Sequence, residues 1–174
     1  MCIRDRYLDD VKGQALDVAG VYDPGTTIPA LDANTTTFVW NLPNDQTGGY
    51  NQYDLLMSKF SVTQPEYVNF DFHHVLSKVR VKLVSNEFTL AELQGANVHL
   101  DNMIVKGSAS LGTAQATGNL NELESVLMYT EINGQEYSAL VMPNQLTVGT
   151  TVVSIQLRDY PGETFPSILT TKLV

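Results

Sequence analysis

Two adjacent histidines, His73 and His74, are the residues best suited to chemistry, because imidazole can ligate a metal or move a proton near neutral pH. Neighbouring residues in a strand face opposite ways, so the two rings cannot readily close on one ion. His99 is the third imidazole in the chain and lies far along the sequence. Glu122 and Glu124 are two apart and share a face if extended. A glycosidase pair would need carboxylates opposed across a cleft, about 5–10 Å apart, and two residues on one strand face read instead as a solvated edge. Asp9-Asp10 reads as a solvated pair. Gly48-Gly49 lacks the flanking pattern of a phosphate-binding loop. No G-x-S-x-G turn is present to carry a nucleophilic serine. Trp40 and the tyrosines could stack on sugars, but scattered aromatics in a strand-rich chain more often pack a core. The expectation is therefore a protein without enzymatic activity, with no catalytic, cofactor-binding or metal-ligating residues.

The bulk properties agree with a folded, non-nucleic-acid-binding chain. Of 174 residues, 43% are hydrophobic and 17% charged, enough apolar surface to build a core. A net charge of −9 repels phosphate backbones and anionic lipid. The single cysteine, Cys2, excludes an internal disulfide and a cysteine zinc site. No apolar run approaches the roughly 20 residues of a membrane helix.

These side chains must be positioned by short strands. A helix is expected over Arg6–Val18, interrupted by Gly13. Thr37–Leu42 reads as a strand, Asn44–Asn51 as a polar connection, and Tyr53–Phe60 is ambiguous. Gln64-Pro65 punctuates the chain, and a domain boundary falls there: residues 1–63 read as the remnant of a first β-rich domain, residues 64–174 as a β-sandwich. From Tyr67 onward strands are expected at Val68–Leu83, Ala96–Met103, Leu123–Ile132, Glu136–Met142 and Thr151–Leu157. Turn signals at Asn133-Gly134 and Asp159–Gly162 punctuate the series, as in an all-β sandwich.

The segment VNFDFHHVLSKVRVKL carries one oddity. Its apolar residues fall on even positions at Val68, Phe70, Phe72 and Leu76, then on odd positions at Val79, Val81 and Leu83. A β-bulge at Ser77 and Lys78 would absorb the extra residue and keep both halves on one core. That places His74 inward beside Phe70, Phe72 and Leu76, bonded to backbone loosened by the bulge, and His73 outward.

The same residues carry a resemblance. Val68-x-Phe70-x-Phe72-x-His74-x-Leu76-Ser77-Lys78-Val79-x-Val81-x-Leu83 resembles the signature strand of the fimbrillin-like proteins of Bacteroidetes, the FimA- and Mfa-type fimbrial subunits. Tyr53-Asp54-Leu55-Leu56-Met57 resembles their D-L-L-x-A segment. Tyr137–Gln145 resembles a segment ending in P-Q, with Asn144 intervening here. Val153-x-Ile155-x-Leu157 and Tyr160 resemble the strand that follows. The match spans roughly residues 53–160.

The resemblance implies transthyretin-like β-sandwich domains and export as a lipoprotein to the outer membrane and cell surface. It implies fimbriae assembled by strand exchange between subunits, with adhesion to a host or bacterial surface ligand. The opening MCIRDR resembles adapter read-through and is set aside from the fold. The family's closing W-x-x-G-x-x-Y segment does not occur before Val174, so the expectation is a piece of a longer subunit. The alternative is a carbohydrate-binding sandwich of a glycan-uptake system, which would present exposed aromatics on one face.

Overall fold

The computed structural model describes residues 16–22, 31, 36–62, 69–143, 146, 148–160 and 163–168. Within them the chain is an all-β sandwich of four small antiparallel sheets around one core. The strands are β1 (Leu16–Tyr22), β2 (Thr37–Asn41), β3 (Leu56–Val62), β4 (His73–His74), β5 (Ser77–Lys82), β6 (Asn97–Ile104) and β7 (Lys106–Ser110). They continue as β8 (Gln115–Gly118), β9 (Leu123–Leu127), β10 (Tyr129–Ile132), β11 (Glu136–Val141), β12 (Thr151–Gln156) and β13 (Phe165–Ile168). The sheet orders are β1-β3-β4, β10-β11-β5, β13-β12-β6-β9 and β2-β7-β8. Among the described residues no helix is long and apolar enough to cross a membrane.

Most expected strands form because alternation gives each one a face to bury. Phe38 and Trp40 of β2 are buried between exposed neighbours. In β12, Val153 and Ile155 pair with Leu100 and Val98 of β6, stacking apolar side chains on one face. Asn133-Gly134 closes the β10–β11 hairpin, with Gly134 at φ 75°. The Leu123–Ile132 run is two strands rather than one, β9 and β10, which belong to different sheets.

The helix expected over Arg6–Val18 lies outside the described residues through position 15. Its last residues are strand instead, since β1 begins at Leu16 and pairs along its full length with β3. A short helix does occur, α1 (Leu90–Leu93), started by Thr89 and Glu92. The Thr89 N–H and hydroxyl donate to Glu92 Oε2 at 2.8 and 2.7 Å, and the Glu92 N–H donates back to Thr89 Oγ1 at 3.4 Å. This is a capping box, readable from the T-x-x-E spacing.

The Val68–Leu83 ribbon is not continuous, and no bulge sits at Ser77 and Lys78. Leu56 and Met57 of β3 pair with His74 and His73 of β4, while β5 pairs with β11 in another sheet. Between them Val75 and Leu76 both turn into the core, and the Val75 N–H donates to Leu55 O at 3.1 Å. Two consecutive buried residues break the alternation. The change of apolar parity marks a change of sheet. After it, Ser77, Val79 and Val81 are half-buried and Lys78, Arg80 and Lys82 exposed.

A face shift by insertion does occur, but in β6. Leu100 pairs with Val126 and Met103 with Glu124, so β6 carries one extra residue there. Asn102 takes it up at φ 60°, a conformation asparagine tolerates, and its amide donates to Thr151 O at 2.9 Å. The inward set accordingly moves from Val98 and Leu100 to Met103.

Candidate assembly surface

The signature segment contributes differently on each side of the crossing. Phe70 and Phe72 are 41% and 38% exposed, not core residues as the alternation suggested. They stack on each other at 5.7 Å, and Phe60 of β3 meets Phe70 edge-to-face at 5.1 Å. Gly20 of β1 makes this possible: a Cβ there would lie 2.7 Å from Phe70 Cδ1. The rings therefore lie over the β1-β3-β4 sheet, and Val68 falls outside the described residues. His74 also points outward, with Nδ1 2.8 Å from Asp54 Oδ2 and its side chain 66% exposed. The inward placement fails because β4 is only two residues long at a sheet edge, and the chain turns immediately into the Val75–Leu76 crossing. His73 faces Asp71 at 3.9 Å.

Beyond the crossing, β5 ends its sheet among the described residues. Val79, Val81 and Leu83 pack against the core yet stay only partly buried. Among the described residues no strand pairs with the outer edge of β5, and the half-buried apolar row lies beside that edge. Lys78, Arg80 and Lys82 alternate with that row on the solvent face. Charges so placed discourage pairing with arbitrary strands.

The remaining candidates for chemistry are engaged in holding strands together. Glu122 and Glu124 both grip Lys106 Nζ, at 3.2 and 2.7 Å, and Glu124, then Glu122, raise the ammonium pKa. They are not an opposed pair. Ser125, His99 and Asp101 form a trio across β6 and β9 that sequence spacing gave no sign of. The Ser125 hydroxyl donates its proton to Asp101 Oδ1 at 2.7 Å and lies 3.3 Å from His99 Nδ1. With that proton committed to the carboxylate, the imidazole is not the base of Ser125, and a nucleophilic triad is not assembled. Among the described residues no three His, Cys, Asp or Glu side chains gather where they could hold a metal ion.

One buried polar residue is central to the architecture. Gln46 is 1% exposed. Its Nε2 donates to Leu140 O at 2.8 Å and to Pro43 O at 3.1 Å, while the Leu140 N–H donates to Oε1 at 2.8 Å. The side-chain amide thus behaves as one residue of a strand beside β11. It is needed because β10 begins only at Tyr129, opposite Ser138, leaving Leu140 without a backbone partner on that flank. The preceding residues have gone to another sheet: Leu127 pairs with His99, bridges to Asp45, and exchanges hydrogen bonds with Asn44 and Gln46.

The fimbrillin-like family model matches residues 10–174, and the chain belongs to the fimbrillin-like family. No curated protein matches it by sequence. Two solved structures are similar in fold. One is a candidate cell adhesion protein from Bacteroides uniformis, 18% identical at a TM-score of 0.66, aligned over 87% of this chain and 58% of that one. The other is a candidate cell adhesion protein from Bacteroides ovatus, 20% identical at a TM-score of 0.60, aligned over 88% of this chain and 56% of that one. The chain therefore spans little more than half the length of these two proteins.

Proposed function

We propose that this chain is part of a structural subunit or tip adhesin of a cell-surface fimbria, exported as a lipoprotein to the outer membrane, with transthyretin-like domain topology. Its role is to assemble with other fimbrial subunits by β-strand exchange and to support adhesion, without catalysis. Family membership over nearly the whole chain supports the fimbrial reading, and the neighbours' description as candidate cell adhesion proteins supports adhesion. The observation that supports strand exchange is that β5 ends its sheet among the described residues, with Val79, Val81 and Leu83 half-covered beside it. A donated strand would pair with that edge and cover the row. Three apolar side chains of the donor, going from water to the covered face at about 1.5–3 kcal/mol each, give roughly 5–9 kcal/mol of gross burial, reduced by the cost of ordering the donor.

The mature full-length protein is expected to run as a ladder on SDS gels without boiling and as a single band after boiling. A mature protein that stays monomeric at all concentrations overturns strand exchange. If that monomer binds glycans, the second reading, a surface module of a glycan-uptake system, takes its place.

The division of the chain at 63/64 belongs to the same proposal. Strand β2 precedes that point and pairs with β7 beyond it.

A further inference from the structure

We propose that the depression between the Gly48–Gln52 loop and β10 is a binding site for a neutral hexose, the terminal ring of a surface glycan. It has a volume of about 390 Å³ and is lined by Gly48, Gly49, Tyr50, Asn51, Gln52, Tyr129 and Glu131. That size falls within the ordinary range for small-molecule sites.

The lining supplies what a pyranose requires. A sugar ring offers a face of C–H groups, which pack on an aromatic ring, and a rim of hydroxyls, which need donors and acceptors. Tyr129 is half-buried and borders the depression, fixed edge-to-face against Tyr50 at 5.8 Å. Asn51 and Gln52 are exposed and contribute two amides, each able to donate and accept. Glu131 contributes the strongest acceptor. Its Oε1 receives the Tyr50 hydroxyl at 2.5 Å and lies 3.4 Å from Lys78 Nζ, which also sits 4.7 Å over the Tyr50 ring. The Tyr50 hydroxyl is the largest influence holding the Glu131 carboxyl below its usual pKa range, with Lys78 adding to it. The acceptor is thus ionised and already oriented, and a group fixed before binding loses little freedom when the ligand arrives. Gly48 and Gly49 leave the mouth open, since a Cβ at either would meet nothing within 4 Å.

Two observations select the ligand class. The lining carries the Glu131 carboxylate, and the chain carries a net charge of −9, so sialylated or sulfated sugars are repelled. Another depression of similar size, about 420 Å³ beside Lys106, has no aromatic wall, and its lysine is already held by Glu122 and Glu124. The site needs no second subunit and does not rest on strand exchange.

The test is saturation-transfer NMR on the full 174-residue chain with the methyl glycosides of mannose, galactose and glucose and with sialyllactose. At least one neutral glycoside is expected to bind with a dissociation constant on the order of 1 mM. The double substitution Asn51→Ala with Gln52→Ala, at exposed positions, is expected to weaken binding by roughly tenfold, and Tyr129→Ala to remove it. If Tyr129→Ala fails to fold, the double variant decides. No transfer to any neutral glycoside, transfer to sialyllactose alone, or a double variant that binds as tightly as the parent each overturns the proposal.

Discussion

Gln46→Ala is expected to destabilise the chain by about 3 kcal/mol, although position 46 lies in a polar loop. The substitution leaves both the N–H and the C=O of Leu140 without partners inside the core, where Leu140 is 3% exposed. A buried, unsatisfied backbone group costs about 1–3 kcal/mol, and two are created at once. For a domain of this size the loss corresponds to about 6–12 °C in melting temperature, read by thermal or denaturant unfolding. Gln46→Glu sharpens the test. The carboxylate still accepts from the Leu140 N–H, but it places negative charge against the carbonyls of Leu140 and Pro43. Its folded pKa is therefore raised, so the lost stability returns below about pH 4, the ordinary glutamate value, and disappears as pH rises through the higher folded value. A Gln46→Ala melting curve matching the parent's would show that the amide is not a strand partner of β11.

Leu76→Ala is expected to cost about 3 kcal/mol and Phe72→Ala only about 1 kcal/mol, in the reverse order of side-chain size. Leu76 is 8% exposed at the crossing between two sheets, so its truncation leaves a cavity with little room to collapse. Phe72 is 38% exposed and loses chiefly its stack on Phe70. A continuous, bulged ribbon facing one core would instead make Phe72 the costlier loss, as the alternation alone suggested. Equilibrium unfolding of the two variants separates these geometries, and a larger loss at Phe72 would restore the single ribbon.

What could be read in the sequence follows from how far each signal reaches. The all-β class, the strands at Thr37–Asn41, Glu136–Val141 and Thr151–Gln156 and the Asn133-Gly134 turn were legible because alternation and turn chemistry are local. The parity change at Leu76 was legible as an event but not as its kind. A bulge and a change of sheet shift the apolar set by the same single residue, and only the identity of the pairing partner distinguishes them. Phe70 and Phe72 were misplaced because alternation shows that residues share a face, not which side of the sheet is the core. Gln46 and the Tyr50–Glu131 contact were invisible because their partners lie 94 and 81 residues away. The Thr89–Glu92 cap lay within reach of its own T-x-x-E spacing.

The sheet centred on β11 has both of its flanking strands supplied by chain arriving directly from other sheets, β5 through Val75–Leu76 and β10 through Met128. Pulling that layer away from its neighbours would load covalent backbone at two short seams as well as the dispersion contacts between layers. In a filament that carries tension, such stitching would let a load pass along the main chain while the layers stay in register.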